Sequence, residues 1–387
     1  MDASGKVAIV GAYESPRRKA DGIHPFQIHA EVTRGVLEDA GVALSEVDGY
    51  CTAAGEAGEG GGVENVVELS EYLGLQATYF EGTDVGGCSY IVHAGHAMAA
   101  IACGMAEMVL ITYASCPRWW PLTTPDWDVP TFPIGPGQFE YPFAPTIPTD
   151  YAIAAQRHMH EYGTTSEQLA QLAVTCRANA ASNPDARFRD PITIEDVVSS
   201  PMISSPLHKL DCCVVTDSGG ALLLASQERA KSCRKDPVWI QGFGSAITQF
   251  HVNQMRDATV TPATLSGPRA FEMAGVGHDD IDVAQLYDAF TITALLALED
   301  LGFCGKGEGG PFVEAGNVDS GGKLPINTDG GGLSSNHPGK RGMFAMIEAV
   351  RQLRNEGPGV QVPEAKTALV HGWGGSFSAA ATMILGV

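Results

Sequence analysis

VAIVGAY (7–13) and VWIQGFG (238–244) share one form. Each is a short apolar run with the pattern of a buried strand, and each has a glycine at the same place, Gly11 and Gly242. A second pair follows in order. AGVALSEVD (40–48) and AGVGHDDID (274–282) both give Ala-Gly-Val, an acidic turn, then Val-Asp or Ile-Asp leading into an apolar run. The third pair is GGCS (86–89) and GGLS (331–334), each ahead of a helical pattern, 89–104 and 342–355. Each helix leads to a strand, 107–115 and 366–375. Three ordered matches at a nearly constant offset mark a duplication. The chain therefore reads as two copies of a β–α–β–α–β unit, and the alternation predicts mostly parallel sheets covered by helices.

Composition narrows the function classes. The chain has 387 residues, 44% hydrophobic and 18% charged, which excludes a disordered protein. A net charge of −21 argues against nucleic acid or an anionic membrane as partner, because phosphate backbones need a basic face. No run of about 18 apolar residues is present, so no membrane span is expected. The stretch MDASGKVAIVGAYESP lacks the charged and apolar regions of a targeting signal. Nine cysteines without a CxxC pair fit free thiols in a reducing cytoplasm and encode no zinc ribbon. No metal site is expected.

Between the copies lie two unlike segments. Residues 116–150 are dense in proline and aromatics, among them Trp119, Trp120, Trp127, Phe132, Phe139, Tyr141 and Phe143. Proline at this density opposes regular helix or central strand, so a long loop lining an apolar pocket or an interface is expected. Residues 151–186 read as helix, with a start signal at Thr165.

Cys88 stands in TDVGGCSY, where Gly86 and Gly87 permit a sharp turn directly before a helix. A thiol at a helix N-terminus feels the positive end of the dipole, which is expected to lower its pKa and favour the thiolate nucleophile. His337 lies in GGGLSSNHPGKRG, on a loop at the matching place in the second copy, so the two could meet as a Cys–His pair. His371 stands where a strand runs into Gly374 and Gly375, and backbone N–H groups in such a turn can form an oxyanion hole. Tyr287 closes another strand, in QLYDAF, and can point into the same site. His93 and His96 read as satisfied helix residues, since no third metal ligand stands near.

Together these residues resemble the thiolase superfamily, closest to the sterol-carrier-protein-X type and its bacterial relatives. The features run in order along nearly the whole chain: Gly-Gly-Cys at Cys88 with Gly104 ending the helix, NPDARFRDPITIEDVVSSPMISSPLHKLDCCVVTDSGGA (183–221), YDAF (287–290), NHPGKRG (336–342) and HGWGG (371–375). The resemblance implies an α/β thiolase fold of two duplicated halves in five αβαβα layers. Residues 1–115 with 211–230 would form the N-terminal half, 116–210 a loop domain and 231–387 the C-terminal half. It implies Cys88 as the acyl-accepting nucleophile and His337 as its activating partner, with Asn336 where the family has glycine. Tyr287 replaces the family's Asn or His. Gly372 and Ala289 stand where relatives carry a second catalytic Cys, which leaves His371 and Tyr287 as candidates for the second acid/base.

The expected function is a coenzyme A-dependent thiolase that cleaves a β-ketoacyl-CoA, or runs the reverse Claisen condensation, through acyl-Cys88. Coenzyme A is a substrate, and no covalently bound cofactor is expected. The aromatics Trp119, Trp120, Trp127, Phe132 and Phe143 point to a bulky or aryl substrate, and the resemblance to the bacterial relatives implies benzoylsuccinyl-CoA as an example. The expected assembly is a homodimer core with a small zinc-ribbon/OB-fold partner subunit. Two alternatives stay open: a steroid side-chain-type acyl-CoA aldolase using Tyr287 and His337, and a non-catalytic acyl-CoA-binding subunit.

Overall fold

The computed structural model describes residues 3–53, 63–119, 135–143 and 146–387. Eleven strands are seen: β1 (Val7–Glu14), β2 (Gly49–Cys51), β3 (Tyr79–Glu81), β4 (Met108–Ser115), β5 (Met202–Ser204), β6 (Leu207–His208), β7 (Ser218–Ser226), β8 (Val238–Ile247), β9 (Val283–Leu286), β10 (Thr367–Gly374) and β11 (Ala379–Gly386). Nine of them form one sheet in the order β3-β2-β4-β7-β1-β8-β11-β10-β9, and β5 and β6 form a small hairpin. The order is a mirror about the β1–β8 seam. On either side of it β1 answers to β8, β7 to β11, β4 to β10 and β2 to β9. The duplication read from the sequence is thus visible as topology.

The expectation of mostly parallel sheets does not hold. β2 runs parallel to β3 and β4, and β9 parallel to β10, but the β1–β7, β4–β7, β1–β8, β8–β11 and β10–β11 pairs are antiparallel. The cause is the last strand of each half. β10 and β11 are joined by a four-residue turn, which is too short for the crossover that parallel neighbours need. β7, the counterpart of β11, takes the same direction.

Helices α1 (Pro25–Ala40), α2 (Val63–Leu73), α3 (Ser89–Ala102), α4 (Ile147–Tyr162), α5 (Ser166–Ala180), α6 (Ala263–Ala274), α7 (Thr291–Asp300) and α8 (Gly342–Leu353) cover the strands. α3 and α8 are buried on nearly all sides. Tyr90 and Ile91 of α3 and Met343 and Ile347 of α8 share a core with Ile9, Ile111 and Leu222 of one half and Val283, Val370 and Met383 of the other. α1 packs on the outer face of the first half, and α6 and α7 on that of the second. These are the five expected layers. Gly11 and Gly242 do the same work in each half: a Cβ would lie 2.8 Å from Val36 O in α1 or 2.1 Å from Ala270 O in α6. Both glycines let a strand press against its helix.

In the segment expected to be irregular, α4 already begins at Ile147. Pro148 sits in its first turn, where a missing N–H costs nothing. Thr165 caps α5 and bonds reciprocally with Gln168. Among the described residues no helix is long and apolar enough to cross a membrane.

Candidate active site

Cys88 ends the single helical turn Gly86–Cys88 and is the N-cap of α3. Gly86 has φ +79°, a backbone that needs no Cβ. The surrounding backbone closes tightly. A Cβ on Gly372 would lie 3.2 Å from Cys88 Cβ, and one on Gly342 3.3 Å from Cys88 Cα. The end of β10 and the start of α8 therefore meet at this thiol.

The expected lowering of the Cys88 pKa is overturned. Its side chain is fully buried, and burial pushes the thiol up to about 12, with the Asp84 carboxylate adding to the rise. The Cys88 backbone N–H opposes this but does not outweigh the loss of solvent. The resting group is a neutral thiol that needs a base.

The His337 imidazole is in the neutral state that a base requires. Burial and the Arg341 charge hold its imidazole down at about 4, so it is neutral at pH 7. Its Nε2 lies 3.0 Å from the Tyr287 hydroxyl, which also donates to Gly339 O at 2.6 Å. The phenol has one proton. With that proton on Gly339 O, His337 donates Nε2–H to the phenol oxygen; with it turned to His337, Nε2 carries the lone pair. Tyr287 also lies over the Cys88 turn, since a Cβ on Gly87 would be 2.7 Å from its hydroxyl. Tyr287, His337 and the Gly87–Cys88 turn thus form one group.

Two ion pairs hold the loops that carry these residues. Lys340 Nζ reaches Asp84 Oδ2 at 2.8 Å, joining the His337 loop to the Cys88 turn. Asp84 Oδ1 accepts from Gly86 N and Ser89 Oγ. Burial pushes Asp84 up, but Lys340 and these donors hold it below the usual carboxylate range. Buried Arg341 grips Asp329 and donates to Asn336 O, and Asp288 accepts from Gly332 N. Asp288 in the YDAF motif is therefore an anchor for the loop ahead of His337.

Other candidates fall differently. His371 is buried on the opposite face of β10 from Gly372, as strand alternation requires. Its Nδ1 meets Thr382 Oγ1 at 2.9 Å, its ring packs edge-on against Trp373, and burial drives its pKa to about 3. The structure does not bring it to Cys88. Gly374 and Gly375 do approach: a Cβ on Gly86 would lie 2.7 Å from Gly375 N, and one on Gly374 would overlap Val85 O. Asn336 is fully buried, and its side chain bonds to Glu14 and Thr216. Trp119 and Phe143 are exposed, Phe143 at 84%. Trp120, Trp127 and Phe132 lie outside the described residues. His93 bonds Thr83 O and His96 bonds Glu81, as helix residues with partners. No group of three or more potential ligands among the described residues is placed to hold a metal.

The aromatic residues beside the site are others. Tyr151 of α4 donates to Gly375 O at 2.7 Å, stacks on Phe290 and meets Phe377 edge-on, while Phe377 contacts Trp373. Phe290 and Trp373 lie inside the YDAF and HGWGG motifs, which was the available signal for them. Tyr151 and Phe377 had no local one.

Known proteins resemble this chain along most of its length. The thiolase C-terminal domain-like family model matches residues 244–387. The chain is 32% identical over 381 residues to the acetyl-CoA acetyltransferase of Methanothermobacter thermautotrophicus, covering 98% of both chains. It is 40% identical over 233 residues to the benzoylsuccinyl-CoA thiolase subunit BbsB of Thauera aromatica, across 59% of this chain and 60% of that protein. The solved Ltp2-ChsH2(DUF35) aldolase superposes with a TM-score of 0.88 at 31% identity, over 100% of this chain and 99% of that one.

Proposed function

The chain belongs to the thiolase superfamily and is a thiolase-like acyltransferase, and from that premise we propose that it cleaves a β-ketoacyl-CoA with coenzyme A, or runs the reverse condensation, through acyl-Cys88. The observation that carries this reading is the Tyr287–His337 contact at 3.0 Å over the Gly87–Cys88 turn. His337 takes the Cys88 proton, and the sulfur adds to the 3-keto carbon. The bond between C2 and C3 breaks, and its electron pair leaves on the thioester enolate. The imidazolium returns its proton to that enolate, with Tyr287 holding the ring in place. Coenzyme A then attacks acyl-Cys88, its thiol proton passing by way of His337 back to the Cys88 sulfur. Backbone N–H groups of Cys88 and of the Gly374–Gly375 turn are the proposed donors to the developing oxyanion.

The substrate is proposed to be bulky or aryl, benzoylsuccinyl-CoA among the candidates. The likeness to BbsB and the rings of Tyr151, Phe290 and Phe377 support this choice. Coenzyme A enters as a substrate. The proposed assembly is a homodimer core with a small zinc-ribbon/OB-fold partner, supported by the subunit name of BbsB and by the two-component Ltp2-ChsH2(DUF35) aldolase. Residues 116–210 are proposed as a loop domain inserted within the N-terminal half, 1–115 with 211–230, and residues 231–387 as the C-terminal half.

A second reading, a carbon–carbon lyase without acyl-enzyme, is favoured by the phenol of Tyr287 against His337 and by the aldolase likeness. Turnover separates the two. A panel of aliphatic and aryl β-ketoacyl-CoAs should be cleaved beyond a single turnover only with free coenzyme A present, most rapidly for the aryl members. Cleavage of the corresponding β-hydroxyacyl-CoAs to an aldehyde or ketone and a shortened acyl-CoA, without free coenzyme A and undiminished in Cys88→Ala, would favour the lyase.

A further inference from the structure

His337 is pinned through its own main chain to Thr216. Its N–H donates to Thr216 Oγ1 at 2.9 Å, and its carbonyl accepts from Thr216 N at 3.4 Å. Thr216 is fully buried. Its hydroxyl has a single proton, which goes to Asn336 Oδ1 at 2.6 Å. That leaves the oxygen's lone pairs for the His337 N–H.

The direction of this chain is set one step further out. An asparagine amide can present either its oxygen or its nitrogen to a hydroxyl. Here Asn336 Nδ2 donates to Glu14 Oε1 at 2.8 Å, so its oxygen must face Thr216. Glu14 is the last residue of β1, an acceptor whose position is fixed by Arg18 at 2.8 Å and Arg351 at 2.9 Å. Glu14, Asn336, Thr216 and His337 thus form one line of hydrogen bonds in which every donor points toward the carboxylate.

We propose that Glu14 and Thr216 are positioning residues for the reaction: through Asn336 they orient the His337 peptide and so set the reach of the imidazole toward Cys88. The claim rests on the reading that His337 is the base. Asn336 stands where the resemblance expects a glycine, which has no side chain to carry such a line. The imidazole itself has a second support in Tyr287, so loss of the line would tilt the ring without removing it.

The test uses the full-length chain, with its partner subunit if turnover requires one, and acetoacetyl-CoA plus coenzyme A as the common probe. Thr216→Val keeps the shape and removes the hydroxyl; Thr216→Ser keeps the hydroxyl. Thr216→Val should lower kcat at least 10-fold with KM within about 3-fold, and Thr216→Ser should restore kcat to within about 3-fold of the parent. Glu14→Gln should lower kcat in the same direction, because a glutamine amide no longer dictates which end of Asn336 faces Thr216. Amide hydrogen exchange at His337 should quicken in Thr216→Val and recover in Thr216→Ser. Unchanged kcat in Thr216→Val, or a Thr216→Ser variant as slow as Thr216→Val, would overturn the proposal. His337→Ala separates the two levels. If it is inactive while Thr216→Val is fully active, the positioning claim alone fails; if it keeps the parent rate, the base assignment has failed first.

Discussion

Lys340 Nζ stands 2.8 Å from Asp84 Oδ2, and this one pair ties the loop of the proposed base to the turn of the proposed nucleophile. The two loops come from opposite halves of a duplicated chain, so no local interaction sets their distance. Lys340 is 3% exposed, which makes the pair sensitive to loss of one partner. Lys340→Met should cost about 2 kcal/mol of unfolding free energy, less than a fully buried pair because Asp84 keeps some solvent. It should lower kcat as well. Urea unfolding measures the first effect. Asp84→Asn added to Lys340→Met should return part of the lost stability; a further full loss would contradict the coupling.

Thiol reactivity should rank by exposure. Cys103 is the exposed cysteine among the described residues, while Cys88 is buried with its thiol pushed up to about 12. At pH 8 the Cys88 thiolate fraction is then on the order of 10⁻⁴. Iodoacetamide in limited amount should label Cys103 first, as peptide mass mapping would show. Labelling of Cys88 ahead of Cys103 would mean that burial does not govern this thiol.

Gly87 leaves no room for a side chain. A Cβ would fall 2.2 Å from Tyr287 Cε1 and 2.7 Å from Trp373 O, and the second contact is backbone. Gly87→Ala should therefore displace Tyr287 and lower kcat at least 100-fold. Retention of more than a tenth of the parent activity would show that the turn tolerates the shift.

Three buried histidines give the stability a defined pH dependence. Burial lowers His93 and His337 to about 4 and His371 to about 3, from an unfolded value near 6.5. The unfolded chain binds these protons first as pH falls. The stability these histidines contribute is therefore fully present above about 6.5 and is lost progressively toward 4, and for His371 toward 3. Each histidine adds up to about 1.4 kcal/mol per pH unit to the slope. His371→Gln, away from the proposed reaction, should make the slope between pH 6 and 4 shallower. Denaturant midpoints across that range would show it, and an unchanged slope would place the proton uptake elsewhere.

How far the sequence alone reached follows physical lines. The duplication was legible because Gly11 and Gly242 each answer a contact that repeats in both halves. Cys88 and His337 were legible because each stands in a short glycine- or proline-bearing turn, and Tyr287 because it closes an apolar strand in QLYDAF. Strand direction was not, since it depends on the last strand of each half, β7 or β11, returning antiparallel to its neighbour. Nor was the state of Cys88: a helix start is local, but burial is contributed by Gly372 and Gly342 from far along the chain. The placement of His371 could have been read, because neighbours on a strand face opposite ways and Gly372 was already matched to the site. Glu14 and Thr216 gave no signal, as their partners in the line to His337 are 120 or more residues away.

The most direct test of the proposed chemistry is the mass of the enzyme caught during turnover. The protein, with its partner subunit if required, is mixed with a β-ketoacyl-CoA in the absence of free coenzyme A, quenched in acid and digested. The account predicts one acyl adduct, on the peptide containing Cys88, that disappears when coenzyme A is added and does not form in Cys88→Ala. Carbon–carbon cleavage with no adduct on Cys88, at a rate unchanged in Cys88→Ala, would contradict it.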